Sequence, residues 1–108
     1  MARFESIDAF VAAIPAMAAR SRDLLRGHDG LFRLDTRQGR TFFMRLSDGE
    51  MTLPENPPDN PDCRVTADEA DLLRIVNGSL SPVTALLFGK VRVSGDKSKL
   101  LALAKLMK

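Results

Sequence analysis

Residues 31–54 read Leu31-Phe32-Arg33-Leu34-Asp35-Thr36-Arg37-Gln38-Gly39-Arg40-Thr41-Phe42-Phe43-Met44-Arg45-Leu46-Ser47-Asp48-Gly49-Glu50-Met51-Thr52-Leu53-Pro54. The runs 31–36, 40–47 and 50–54 alternate apolar and polar side chains. Phe32 and Leu34, then Phe42, Met44 and Leu46, then Met51 and Leu53 fall on one face of a period-two pattern. Asp48-Gly49 is a strong two-residue hairpin signal, and Arg37-Gln38-Gly39 separates the first two runs. The stretch predicts a three-stranded antiparallel meander. Phe43 points away from Phe42, so its face is expected to be partly covered too.

Working towards the N-terminus, Ile7, Phe10, Val11, Ile14, Met17, Ala18, Leu24 and Leu25 recur mostly at helical spacing behind Ser6, a capping residue. Pro15 disfavours helical geometry at Ile14, which predicts a kink or two short helices, the second opening on Pro15. Gly27 ends the segment.

Towards the C-terminus, residues 54–62 (Pro-Glu-Asn-Pro-Pro-Asp-Asn-Pro-Asp) can be neither helix nor central strand, and read as a crossover within one domain, 1–108. A strand is predicted near Cys63 to Thr66. Thr66-Ala67-Asp68-Glu69 has capping-box spacing, with Thr66 as cap and Glu69 reaching back to it. The helix beyond carries Leu72, Leu73, Ile75 and Val76 and stops at Asn77-Gly78. Ser81-Pro82 opens another, whose Val83, Ala85, Leu86, Leu87 and Phe88 make it apolar almost all round, so burial is expected. Residues 90–94 alternate as a last strand. A terminal helix then stacks Leu100, Leu103, Ala104 and Met107 on one stripe, flanked by Lys97, Lys99, Lys105 and Lys108.

Composition narrows the chemistry. A chain of 108 residues, 44% hydrophobic and 28% charged, is a globular domain, and no apolar tract approaches the roughly 20 residues of a membrane span. The N-terminus, with Glu5 and Asp8, lacks the basic flank and apolar core of a secretory signal, so a cytoplasmic location is expected. One cysteine and one histidine exclude an internal disulfide and a Cys/His zinc site. Cys63 alternates with Arg64 and reads as a buried structural thiol. His28 beside Asp29 and Gly30 reads as turn chemistry, the weakest of the functional readings being an enzyme built on it. Gly89 to Ser98 fails as a phosphate loop, because five residues separate Gly89 from Gly95 and Asp96 follows where lysine belongs. No catalytic residue, metal or cofactor is expected.

Charge is uneven beneath a formal total of +2. Residues 1–47 hold eight Arg against five acids, 48–77 two Arg against eight acids, and 78–108 six Lys or Arg against one acid. The balanced total argues against nucleic acid as a partner, while a basic C-terminal third reads first as a solvated face and second as a contact for an anionic membrane surface.

The run Pro61-Asp62-Cys63-Arg64-Val65-Thr66 with an acidic helix start, then Gly78-Ser79-Leu80-Ser81-Pro82, Ala85, Gly89-Lys90-Val91-Arg92-Val93-Ser94-Gly95-Asp96 and a leucine-rich end, resembles the sterol carrier protein 2 family. The resemblance covers about the last half of the chain. It implies an α+β fold, a five-stranded, mostly antiparallel sheet covered by helices that enclose an apolar tunnel, and non-enzymatic binding and transfer of a lipid. Small stand-alone members are mainly bacterial, which turns the expected ligand from sterol towards fatty acid, acyl-CoA, phospholipid or isoprenoid. On the family's pattern the lining falls on Leu73, Val76 and Leu80, on Ala85, Leu86 and Phe88, and on Val91, with Leu100, Leu103, Ala104 and Met107 as a lid. Each would serve equally as core. The ending Leu106-Met107-Lys108 carries no peroxisomal tripeptide, so peroxisomal delivery is not expected. The terminal helix is expected to touch anionic membrane transiently, and the chain to be a monomer or weak homodimer. The competing reading is an accessory domain whose apolar groove a partner protein or second copy fills.

Overall fold

The computed structural model describes residues 4–96 and Ser98. The predicted terminal helix, with Leu100, Leu103, Ala104 and Met107, lies outside them. The elements run α1 (Ile7–Arg20), α2 (Arg22–Leu25), β1 (Gly30–Thr36), β2 (Thr41–Ser47), β3 (Glu50–Thr52), β4 (Cys63–Ala67), α3 (Glu69–Val76), α4 (Pro82–Leu87) and β5 (Val91–Gly95).

The predicted meander forms, and β4 and β5 extend it into a five-stranded sheet of order β3-β2-β1-β4-β5. Every pairing is antiparallel except β1 with β4. Phe32 lies opposite Met44 and Cys63, Leu34 opposite Phe42 and Val65, and Leu46 opposite Met51. Val65 and Ala67 face Val93 and Val91. Cross-strand partners share a face, so these side chains make one continuous apolar floor, and Ile7, Val11, Ile14 and Ala18 of α1 close over it.

Asp48 and Gly49 both adopt positive φ, 50° and 78°, as a tight β2–β3 hairpin requires. β3 is shorter than predicted: it stops at Thr52, and Leu53, ahead of Pro54, is exposed instead of on the floor.

Two local expectations give way to tertiary packing; of the two readings at Pro15, only that of two separate helices does so. α1 runs unbroken through Pro15, capped by the Ser6 hydroxyl that accepts from the Ala9 N–H. A mid-helix proline costs about 3 kcal/mol, whereas each buried Val or Ile contributes about 1.5–3 kcal/mol, and three of them seat α1 on the sheet. The chain breaks at Ser21 instead. Thr66 does not cap α3, because it sits inside β4 between Asp35 and Arg92. Asp68 caps α3, its carboxylate accepting from the Ala70 N–H. Glu69 turns to the sheet, accepting from the buried Thr36 hydroxyl at 2.9 Å and pairing with Arg40.

The crossover is stitched at Asp62. The Leu31 N–H donates to Asp62 Oδ2 at 2.8 Å, the Asp62 N–H donates to Leu31 O at 2.8 Å, and the Asp96 N–H donates to Asp62 O at 2.8 Å. Gly95 completes the junction. Its φ is +88°, and a Cβ there would meet the Asp62 carbonyl oxygen at 2.3 Å. Gly39 has a similar φ of +90° with nothing near its missing Cβ. Gly39→Ala should therefore cost about 1–2 kcal/mol of left-handed strain. Gly95→Ala should cost roughly 3 kcal/mol or more, strain plus displacement of the β5 end. Equal losses in urea denaturation would contradict the described junction.

Candidate functional site

The described elements after the Asp62 junction are β4, α3, α4 and β5, and the two strands form one edge of the sheet. β4 delivers α3 above the floor. The turn after α3 folds back on itself, the Ser79 and Leu80 N–H groups both donating to Arg74 O. Ser81 caps α4 with Pro82 in its first turn, as its sequence predicts. The Lys90 N–H then returns to Ala85 O at 2.9 Å, holding α4 against β5.

Leu73 and Val91 are half-buried against the core, Val76 and Leu80 are half-buried, and Ala85 is buried completely. Leu86 and Phe88 are exposed, at 45% and 75%. These seven lie on α3, the α3–α4 turn, α4 with its C-cap, and β5, and range from buried to exposed. The four predicted on the terminal helix lie outside the described residues.

α4 departs from expectation. Of its apolar residues only Ala85 is buried. Val83 and Leu87 are 65% and 79% exposed. Six residues anchored through one small side chain leave the opposite side open, since Val83 and Leu87, four apart, share the side away from Ala85. These two were not predicted as functional. Their signal was the nearly all-apolar helix, which reads as core when neighbours are unknown.

Polar groups border the surface without entering it. Arg37 reaches from the β1–β2 turn to donate to Gly89 O at 3.0 Å. Asp71 on α3 meets Arg74 at 3.6 Å and Lys90 at 4.0 Å. These exposed pairs contribute little to stability. Cys63 is a wholly buried core residue, and burial, with Asp96 and Asp62 nearby, pushes its thiol up. That favours the inert, protonated form. His28 lies in the α2–β1 connection, its N–H donating to Leu25 O at 3.2 Å, while Asp29 accepts from the Asp48 N–H at 2.9 Å. A depression of about 360 Å³ lies elsewhere, lined by Pro15, Ala19, Arg22, Gly49, Glu50 and Met51. None of the predicted lining residues borders it, nor does His28.

The family profile described as the SCP-2 sterol transfer family matches residues 11–108. The chain belongs to that family. The sterol carrier protein 2 of Gallus gallus is 30% identical over 56 residues, which span 52% of this chain and 10% of that protein. This SCP-2 family chain therefore corresponds to about a tenth of the length of that curated relative. Among solved structures, a double mutant of the sec-alkyl sulfatase PisA1 has a TM-score of 0.82 at 22% identity, over 94% of this chain and 16% of that one. The palmitated SCP2L2 of Aedes aegypti has a TM-score of 0.72 at 23% identity, over 94% of each chain. The mosquito protein, and the matching sixth of the sulfatase, share the fold described above, a mostly antiparallel five-stranded sheet with helices. Among the described residues, no helix is long and apolar enough to cross a membrane.

The sheet's other face in this SCP-2 domain is polar. Arg33 and Arg64 both bind Asp35, and the Arg33 guanidinium lies 5.6 Å over the Phe43 ring, giving that side chain its expected partial cover. Partial burial pushes the Asp35 carboxyl up, but hydrogen bonds from Thr41, Arg33 and Arg64 outweigh this and hold it below the ordinary carboxylate range. A carboxylate so lowered stabilises the fold fully above its unfolded pKa of about 3.9, and the contribution is lost as pH falls through the lower folded value. The stability advantage of wild type over Asp35→Asn should be constant near neutral pH and shrink below about pH 4. An advantage unchanged by acid, in urea titrations across that range, would contradict it.

Proposed function

We propose that this chain binds, and passes on, a lipid whose acyl or isoprenoid chain lies along the surface from α3 to β5. The observation that carries the reading is the apolar stretch that grades from buried Ala85 through half-buried Leu73, Val76, Leu80 and Val91 to exposed Leu86 and Phe88. Removing an aliphatic chain from water contributes roughly 0.8 kcal/mol per methylene. Such a ligand asks for apolar walls and no array of hydrogen-bonding groups. In this reading the stripe Leu100, Leu103, Ala104 and Met107 closes over the ligand as a lid.

Family membership supports lipid binding over the accessory-domain reading, and the mosquito domain of the same fold is described as palmitated. The described residues around the surface supply no nucleophile–base pair, so the role proposed is carriage without chemistry. Fatty acid, acyl-CoA, phospholipid and isoprenoid remain the ligand classes, with sterol also in range given the family's description.

Displacement of a fluorescent fatty acid tests this at micromolar protein. Leu86→Glu places a carboxylate in the lining and should weaken binding about 30-fold or more, in line with about 2 kcal/mol for bringing a charged group against the ligand chain. Leu24→Glu, at an exposed position on α2, should leave affinity unchanged. No binding by wild type, or equal effects of the two variants, would overturn the proposal.

A further inference from the structure

The turn from α4 into β5 combines two features that go beyond the proposed lining, with which it shares Phe88. Val83 and Leu87 stand on the outer side of α4, and Phe88 follows at the turn, all three largely in solvent. Two cations flank this tip: Arg37, fixed to Gly89 O, and Lys90, directly after it. Arg92 follows on β5, also exposed. α4 itself carries no charged residue; the acids beside these cations are Asp71, paired with Lys90 and Arg74, and Asp68, which accepts from Gln38 at 2.7 Å and faces Arg37 electrostatically.

We propose that the α4–β5 corner is a membrane-inserting tip, in which Val83, Leu87 and Phe88 enter the interface of an anionic bilayer while Arg37 and Lys90 bind its headgroups. An apolar wedge bordered by Arg37, Lys90 and Arg92, which outnumber the neighbouring Asp68 and Asp71, matches the boundary between acyl chains and anionic headgroups. Charge argues against a second copy as the occupant. A two-fold contact through this corner would set Arg37 and Lys90 against their own counterparts. The small patch also offers roughly a few hundred Å², short of the about 800 Å² per partner of a standard protein interface. This assigns membrane contact to the α4–β5 corner in addition to the lysine-flanked terminal segment. It stands independently of whether the neighbouring surface holds a lipid.

The full chain contains no tryptophan, so Leu87→Trp gives a single reporter at the tip. In buffer its emission should be that of a solvent-exposed indole. With phosphatidylcholine vesicles containing phosphatidylglycerol it should shift to the blue and be quenched by lipids brominated near the interface. Pure phosphatidylcholine vesicles should give little shift. Adding Arg37→Gln and Lys90→Gln should lower partitioning about 25-fold, fivefold per cation lost, and Leu24→Trp should not respond. Emission already blue in buffer would overturn the proposal, showing that the chain or a second copy covers the face. So would the lack of a shift with anionic vesicles. Fatty-acid displacement by the same variant without vesicles reports on the lipid site alone, so failure of one reading is distinguishable from failure of the other.

Discussion

One junction, at Asp62, decides where the whole second half of the molecule goes. An antiparallel meander leaves β1 with a free edge, and the proline-rich stretch after β3 must carry the chain back to that edge before β4 can pair with it. Asp62 fixes the landing through its carboxylate and N–H to Leu31 and its carbonyl to Asp96. β4 then runs parallel to β1, and β5 closes against β4 with Gly95 where no side chain fits. Because α3 and α4 hang between β4 and β5, their position over the sheet follows from this parallel pair. A shift of one residue at Asp62 would turn Cys63, Val65 and Ala67 from the apolar floor to the polar face.

The two faces of the sheet then divide the work. α1 covers the β1–β3 half of the floor with buried Ile and Val and gives rigidity. Among the described residues, the β4–β5 half is covered less completely, by α3 and by α4, whose Ala85 carbonyl accepts from the Lys90 N–H ahead of β5. Partial cover of an apolar floor is a poor way to build a core and a good way to leave room for an aliphatic chain. The other face holds Arg33 and Arg64 on Asp35, so its charge is largely spent on internal pairing. Arg37 and Lys90, held by Gly89 O and Asp71, border the exposed tip of α4.

Local signals in the sequence were read faithfully by the structure. Asp48-Gly49 makes its hairpin, and Ser6 and Ser81 cap their helices, because each depends on residues within a few positions. Period-two alternation placed Phe32, Leu34, Met44, Leu46 and Met51 on one face for the same reason. What failed depended on distant partners. Pro15 stays helical because α1 is held by the sheet, and Thr66 loses the cap to Asp68 because strands on both sides claim it. The exposure of Val83 and Leu87 could not be read from composition, since an all-apolar helix looks the same whether a neighbour covers it or not. Nor could the approach of Arg37 to Gly89, which spans 52 positions. Seven of the proposed lining residues could be named from the family pattern, although that pattern did not reveal their range from buried to exposed.

The account rests on the claim that the incompletely covered half of the floor is occupied by a lipid chain. Organic extraction of the purified full-length protein, followed by mass spectrometry of the extract, tests it most directly. The account predicts near-stoichiometric recovery of a restricted set of acyl or isoprenoid lipids, enriched over their share in the host membrane. Recovery of no lipid, from protein that also fails to take up added fatty acid, would contradict it.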